Sequence, residues 1–175
     1  ASEPGSVMKP FTAAALLEQG LYRPGETVDC ERGLGKKGAR PIHDTHPHGV
    51  LTLPEVIEVS SNIGIVKFAQ RLQNDDFYRV LVGLGFGRRT GIDLPAESAG
   101  VLTKPDQWKV VDHDSIAFGH SLSVTTLQLA VAMSTIANGG FRVTPRVGLS
   151  WELPDGTRQP IPRPAPERAI AANTS

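Results

Sequence analysis

The chain has 175 residues, 39% of them hydrophobic and 21% charged, which is enough to bury a core of single-domain size, and one globular unit is predicted. Eighteen basic and 18 acidic residues balance to a net charge of zero, so the chain offers no basic field and nucleic-acid binding is not expected. The single cysteine, Cys30, excludes an internal disulfide and a cysteine-built metal cluster.

The first half of the chain is predicted to be mainly helical. The turn-forming run Glu3-Pro4-Gly5 precedes an apolar pattern that predicts a helix over 6–19, with Ser6 in its first turn. Residues 21–50 are rich in glycine and proline and predict an irregular excursion with at most one small strand. Helical spacing then predicts a cluster of helices over 52–84.

The second half of the chain mixes loop, helix and strand. Residues 85–124 read as a loop, and 125–137 as a strong helix that should be largely buried. The apolar stretch inside that helix is far too short to span a bilayer. Residues 141–175 predict a strand over 141–153, a hairpin turn at Pro154-Asp155-Gly156 and a proline-rich tail.

Ser6 and Lys9 form a candidate pair of nucleophile and base. Three residues apart on a helix, a hydroxyl and an amine lie on one face within reach of each other. A serine needs a neighbour that accepts its proton, and a lysine can do so when burial or a nearby cation lowers its pKa. Taken alone the pattern is common, and the plain alternative is that Ser6 caps a helix and Lys9 is solvated.

Ser60-Ser61-Asn62 falls between two predicted helices and is a second candidate group. In an extended linker Ser60 and Asn62 point the same way and could flank a cleft. A second hydroxyl can relay a proton, and an amide can bind both the lysine and a substrate amide. The alternative is an ordinary helix cap.

Taken together, these runs resemble the penicillin-binding transpeptidases, whose first motif is Ser-x-x-Lys and whose second is of the Ser-x-Asn type. The resemblance rests on Glu-Pro-Gly-Ser-Val-Met-Lys-Pro-Phe at 3–11 and Ser-Ser-Asn-Ile-Gly at 60–64. It continues through Thr-Gly-Ile-Asp-Leu-Pro at 90–95 and Ala-Asn-Gly-Gly at 137–140. The ordered set is most similar to the class B, division-type branch.

The resemblance implies an α+β fold, represented here mainly by the helical part of a penicillin-binding-protein and serine-β-lactamase-like domain, with much of the central antiparallel sheet outside the chain. It implies that Ser6 attacks the D-alanyl-D-alanine carbonyl of a peptidoglycan stem peptide and that β-lactams acylate the same serine. Lys9, Ser60 and Asn62 are the other expected catalytic residues, and Ser61 is expected to bind substrate.

The resemblance also sets expectations for partners and location. No cofactor and no metal are expected. The expected partners are stem peptides, β-lactams and, through the parent protein, membrane proteins of the division machinery. The expected location is extracytoplasmic, at the periplasmic face of the inner membrane, with an anchoring segment upstream of Ala1.

The sequence departs from the family pattern at the third motif, Lys-Thr-Gly or Lys-Ser-Gly. None of the lysines begins it, and Lys36-Lys37-Gly38 is not a substitute. Relatives carry it on a strand shortly downstream of Ser175 and carry the strands that precede the serine upstream of Ala1, so both ends are expected to lie inside the domain. A missing oxyanion-hole donor lowers rates by roughly 10²-fold or more, so the fragment alone is expected to be poorly active. A smaller departure is Gly119-His120-Ser121, where relatives carry Gly-aromatic-Gly.

Three alternatives remain open from the sequence. The chain could belong to a non-catalytic scaffold of the division machinery with the same fold, or to a penicillin-sensing receptor domain with the same first motif. A β-lactamase would need a carboxylate that holds a deacylating water, and no glutamate here stands in a context typical of that role.

Other patterns have simpler explanations. His43, His46 and His48 suggest metal ligands, but Pro47 and Gly49 mark a surface loop. The Gly85–Gly91 run has the wrong spacing for a dinucleotide loop and reads as a helix-terminating turn. Arg88 and Arg89 could bind a carboxylate or phosphate but are more typical of solvated surface.

Overall fold

The structure is a computed structural model that describes residues 1–35 and 41–175. The run Lys36-Lys37-Gly38 therefore lies outside the described residues. The described part is a mixture of helices and short two-stranded ladders, so the fold class is α+β, as predicted. No helix in it is both long and apolar enough to cross a membrane.

The helices come mostly from the first 140 residues. Three short stretches are 3₁₀ turns: Gly5–Met8, Glu31–Gly33 and Pro105–Gln107. The α-helices of the described residues are α1 (Lys9–Glu18), α2 (Leu53–Glu58), α3 (Asn62–Ala69), α4 (Asn74–Leu84), α5 (Asp112–Ala117) and α6 (Thr126–Ala137).

The strands are two or three residues long and pair antiparallel as β1 with β4, β2 with β3, β5 with β8 and β6 with β7. Their bounds are β1 (Thr27–Asp29), β2 (Leu34–Gly35), β3 (Ile42–His43), β4 (Val50–Thr52), β5 (Phe141–Arg142), β6 (Ser150–Glu152), β7 (Arg158–Pro160) and β8 (Glu167–Arg168).

The core lies around α1, which packs against α3 and α4 and touches α2 and α6. Aromatic rings interlock there: Phe11 meets Phe86 edge to face with ring centroids 5.1 Å apart. Such contacts add to the free energy gained by burying the rings. The largest fully buried apolar side chains in the described residues are Phe11, Phe68, Phe77, Phe86, Met8, Leu16, Ile65, Leu81, Leu84, Ile116 and Ile170.

The helix predicted over 6–19 is present, but its first turn is 3₁₀ and α1 begins at Lys9. The reason is Pro10, which has no N–H to reach the Ser6 carbonyl four residues back. The Lys9 N–H bonds that carbonyl instead, over three residues.

Two predictions of irregular structure were too loose. The segment 21–50 holds four described strands, β1 to β4, rather than one small strand. Each has only two or three residues, which is too few to show the alternation of apolar and polar residues by which a strand is predicted. The predicted loop over 85–124 contains α5, whose six residues span too few turns to show a helical period.

Two predictions near the carboxyl end were too strong. The helix over 125–137 buries one stripe and leaves its other face partly or fully exposed, with Met133 40% exposed. The strand predicted over 141–153 is broken into β5 and β6, with Pro145 between them and the Val147 and Gly148 N–H groups bound by Asp93. The hairpin turn at 154–156 is confirmed, since β6 pairs with β7 across it.

Candidate active site

Ser6 lies at the exposed start of the first helix. Gly5 has φ of +58°, a left-handed turn that favours glycine, and leads into the 3₁₀ turn. Ser6 is exposed, whereas Met8 and Lys9 are buried. The hydroxyl therefore faces solvent at the amino end of a helix, where backbone N–H groups favour negative charge.

The Lys9 amine is buried against two serines, with the residue only 1% exposed. Its Nζ lies 3.1 Å from Ser6 Oγ and 2.8 Å from Ser60 Oγ, and it also donates to the Ser60 carbonyl. Burial lowers the pKa of Lys9 to about 8, against an opposing effect of the Asp44 carboxylate. A neutral amine in this position can accept the Ser6 proton near physiological pH.

Ser60 is brought to Lys9 by a strained turn between α2 and α3. Its φ of +58° lies in the left-handed region, which is unfavourable for a residue with a Cβ and must be imposed by its surroundings. That conformation directs both the carbonyl and the hydroxyl of Ser60 to the amine. The structure thus brings together Ser6, Lys9 and Ser60, which residue spacing alone left as two separate groups and only the family resemblance joined.

Asn62 is the first residue of α3 and is half-buried beside the same turn. Its Nδ2 donates to the His43 carbonyl at 2.9 Å, and this bond holds the Asn62 amide against β3. Its side chain lines a cavity of about 240 Å³ whose walls also include Ile42, His43, Asp114, Phe118 and His120. Asn62 therefore follows the turn that presents Ser60 to Lys9, and it lines a space large enough for part of a peptide.

Ser61 does not line this cavity, which corrects the prediction that it binds substrate. The residue is 1% exposed. Its Oγ accepts from the Gly64 N–H at 2.9 Å and donates to Asp44 Oδ2 at 2.6 Å. In a tight turn that leads directly into a helix, the residue before the first turn takes the N-cap position, so Ser61 is a helix cap.

Asp44 is the site residue that sequence reasoning missed. Its carboxylate accepts hydrogen bonds from the Ser61 hydroxyl and from the Asn62 and Ile63 N–H groups. The signal in the sequence was weak, because Asp44 stands among histidines in a glycine- and proline-rich stretch, 17 residues before Ser61. The first turn of α3 contains no acidic residue of its own, and no local pattern connects it with a carboxylate that far upstream.

The segment that carries Ser6 is fastened to residues 119–121. Gly5 N donates to the Gly119 carbonyl at 3.0 Å, and Glu3 accepts from the Ser121 N–H at 3.0 Å. His120 Nδ1 lies 2.8 Å from the Glu3 carboxylate. Ser121, where the family pattern has glycine, adopts φ of +59°. These contacts place the wall of the cavity beside the amino-terminal segment.

The remaining sequence signals lie elsewhere. Within residues 1–35 and 41–175, no three His, Cys, Asp or Glu side chains are grouped so as to hold a metal ion. Gly85 ends α4 with φ of +106°, which confirms the helix-terminating turn. Arg88 lies 3.8 Å from Glu167 and donates to the Gly83 carbonyl.

A comparison with protein families matches residues 1–174 to the penicillin-binding protein transpeptidase domain. The chain belongs to that family. Penicillin-binding protein PbpB of Mycobacterium tuberculosis is 38% identical over 175 residues, which cover 99% of this chain and 26% of the relative. A probable peptidoglycan D,D-transpeptidase, PbpC of Pseudomonas aeruginosa, is 36% identical over 138 residues, covering 79% of this chain and 24% of that protein.

Solved transpeptidases share the fold. Crystal structures of penicillin-binding protein 3 from Mycobacterium tuberculosis in complex with aztreonam and with ampicillin superimpose with TM-scores of 0.90 and 0.91 at 39% identity. They cover 98% of this chain, which corresponds to 39% and 38% of the solved chains. The chain thus spans about a quarter of the length of the curated relatives named above, of which PbpB represents the division-type branch that the sequence indicated.

Proposed function

We propose that this chain is the serine-bearing part of a peptidoglycan D,D-transpeptidase, with Ser6 as the acylated nucleophile. The observation that carries the proposal is the buried Lys9 amine, 3.1 Å from Ser6 Oγ. A solvated lysine would be protonated at neutral pH and useless as a base, whereas burial keeps the pKa of Lys9 near 8.

The geometry supports a two-step reaction. Neutral Lys9 takes the Ser6 proton as Oγ attacks the D-alanyl-D-alanine carbonyl. The tetrahedral intermediate then expels D-alanine, whose amine must receive a proton, and leaves a Ser6 ester. Ser60 Oγ, 2.8 Å from Nζ, is placed to pass that proton from Lys9 to the leaving amine. In the second step an amine of a neighbouring stem peptide attacks the ester carbonyl and gives up a proton, the new amide bond forms the cross-link, and Ser6 Oγ leaves and receives that proton through Lys9.

A β-lactam would follow the first step only. Attack of Ser6 opens the four-membered ring, and the released amine stays attached to the acyl group, so no leaving group departs. Aztreonam and ampicillin are bound in the solved relatives. For this chain we propose Asn62 as the group that holds the amide of either ligand, since it lies at the rim of the cavity beside the Ser60 turn.

The wider setting is part of the same proposal. Stem peptides are assembled into peptidoglycan outside the cytoplasm, so we place the protein at the extracytoplasmic face of the membrane. Division-type relatives lead us to propose contacts with membrane proteins of the division machinery. Because the 175 residues contain no Lys-Thr-Gly, we expect low turnover from them alone.

The direct test is release of D-alanine from a synthetic peptide ending in D-alanyl-D-alanine, measured with the full-length protein. Ser6→Ala should reduce release by about 10³-fold or more. Ser2→Ala, an exposed serine four residues upstream, should leave release unchanged. Release that survives in Ser6→Ala would refute the proposed nucleophile, and no release from the wild type would favour a scaffold or a penicillin sensor.

A further inference from the structure

Asp44 is bound to the start of α3 by three hydrogen bonds. Its Oδ1 accepts from the Asn62 N–H at 2.5 Å and the Ile63 N–H at 3.0 Å, and its Oδ2 accepts from the Ser61 hydroxyl at 2.6 Å. Two of these donors are backbone N–H groups of the first helical turn, which have no acceptor within the helix. Bonds to an ionised carboxylate are about twice as strong as neutral ones.

These bonds hold the turn that presents Ser60 to Lys9. Ser60 directly precedes the bound residues, and its φ of +58° is unfavourable by roughly 1–2 kcal/mol for a residue with a Cβ. The same turn directs the Ser60 carbonyl and hydroxyl to Lys9 Nζ. A loosened start of α3 would let Ser60 relax, and Lys9 would lose two acceptors that orient it to Ser6.

Asp44 also lies close enough to Lys9 for its charge to act on the amine, since it binds Ser61 and the adjacent Ser60 contacts Lys9 Nζ. Burial lowers the pKa of the Lys9 amine, and the negative charge of Asp44 raises it. The other charged or titratable side chains on the elements packed around Lys9 are Glu18 on α1 itself, His43 on β3, Glu55 and Glu58 on α2, Lys67 on α3, Asp75, Asp76, Tyr78 and Arg79 on α4, and Asp112, His113 and Asp114 on α5. In the described part of the chain, Asp44 is the charge that acts on the Lys9 amine, while Lys67 is paired with Glu31.

We propose that Asp44 is a positioning residue for acylation: its carboxylate holds the Ser60 turn against Lys9, and its negative charge acts on the Lys9 amine. The inference rests on the proposed function of Ser6 and Lys9. Asp44 touches neither Ser6 nor the expected substrate, so its effect on the reaction passes through Lys9 and Ser60.

The charge is tested by Asp44→Asn in the full-length protein. The amide keeps an acceptor for the Asn62 and Ile63 N–H groups, replaces the acceptor of the Ser61 hydroxyl with an NH₂ group and removes the negative charge. The measurement is the second-order rate constant for acylation by a fluorescent penicillin across the pH range. The wild-type rate at pH 7 should be about a tenth of its plateau, because pH 7 is one unit below the Lys9 pKa.

Loss of the Asp44 charge favours the neutral amine at lower pH. In Asp44→Asn the midpoint of the profile should therefore move to lower pH, and the ratio of the rate at pH 7 to the plateau should rise about two-fold or more. Asp93→Asn is the matched control, since Asp93 also binds two backbone N–H groups but on a distant loop. Its profile should coincide with the wild type.

The positional part is tested by Ser61→Ala, which removes one of the three bonds, together with the bond from the Gly64 N–H, and leaves the Asp44 charge. Its plateau should fall by about three-fold or more with an unchanged midpoint. A midpoint in Asp44→Asn that matches the wild type overturns the inference. If Asp44→Asn does not fold, judged by its thermal unfolding, a wild-type plateau in Ser61→Ala overturns it. Failure of the wild type to label would refute the proposed function instead.

Discussion

The Lys9 amine separates this Ser-x-x-Lys pair from the many that occur on protein surfaces. A serine and a lysine one turn apart need no special explanation when the lysine is solvated. Here the residue is 1% exposed and its Nζ contacts two serines. The spacing predicted that Ser6 and Lys9 share a face, but the contact between Lys9 and Ser60, 51 residues apart, leaves no trace in the local pattern.

The pH dependence of acylation follows from Lys9. The neutral amine is the base, so the rate should be low while Lys9 is protonated, rise through pH 8 and level off above it. The measurement is the rate of penicillin acylation over about three pH units centred on this midpoint. A rate that is flat between neutral pH and the alkaline plateau would show that Lys9 is not the base.

Lys9 should also lower the stability of the fold. Its pKa falls from 10.5 in the unfolded chain to about 8 in the folded one, so the destabilisation is fully present below pH 8 and is relieved as pH rises from 8 to 10.5. Lys9→Met should abolish acylation and raise the free energy of unfolding at pH 7 by up to about 3 kcal/mol. Thermal unfolding measures this, with the exposed Lys104→Met as control. A destabilised Lys9→Met would show that the hydrogen bonds of Lys9 outweigh its burial.

At the scale of elements, the segment that carries Ser6 depends on a close approach of two glycines. A Cβ on Gly119 would lie 2.0 Å from the Gly5 carbonyl oxygen, closer than any real contact. Gly119 also has φ of +91°, and its own carbonyl accepts from Gly5 N. The sequence indicated only that the segment 119–121 departs from the family pattern, since a contact across more than one hundred residues leaves no local trace.

Gly119→Ala should therefore displace the Ser6 segment and lower acylation by at least about ten-fold. Gly139→Ala is the matched control: it has φ of +64° and no atom within 4 Å of its added Cβ. It should lose about 1 kcal/mol of stability from backbone strain and keep its acylation rate. Equal acylation rates in the two variants would contradict the role given to the Gly5–Gly119 contact.

The start of α6 depends on Gln128, which is fully buried. Its Oε1 accepts from the Thr125 N–H at 2.8 Å, and its Nε2 donates to the Arg88 and Ala99 carbonyls, each at 2.8 Å. One side chain thus satisfies backbone groups from the helix cap and from the loop that follows α4. This explains why a polar residue interrupts the apolar face of α6.

Gln128→Leu should lower the free energy of unfolding by about 2–4 kcal/mol, because buried backbone groups lose their partners. The exposed Gln107→Leu makes the same change on the surface and should be nearly neutral. Chemical denaturation of both variants provides the comparison. A loss below about 0.5 kcal/mol in Gln128→Leu would mean that the loop carbonyls find other partners.

At the scale of the whole molecule, the sequence predicted the long helices and the first-turn serine but not the pieces that join them. Helix α6 has apolar spacing and ends at Asn138, so its limits were predicted to within a residue, and the predicted helical cluster ends at Leu84, as α4 does. The strands β1 to β4 and the helix α5 are too short to show a strand or helix period in the sequence, so they were not predicted. The prediction that Ser61 binds substrate was wrong because the direction of its side chain depends on Asp44. That residue lies outside the short linker between α2 and α3 and binds the Ser61 hydroxyl.

The central claim is that Ser6 is the acylated residue, and peptide mapping after penicillin treatment tests it most directly. Full-length protein is incubated with a β-lactam, digested and analysed by mass spectrometry, with heat-denatured protein as the control for non-specific labelling. The account predicts one adduct, on the peptide that contains Ser6, and its loss in Ser6→Ala. An adduct on another residue, or equal labelling of Ser6→Ala, would contradict it.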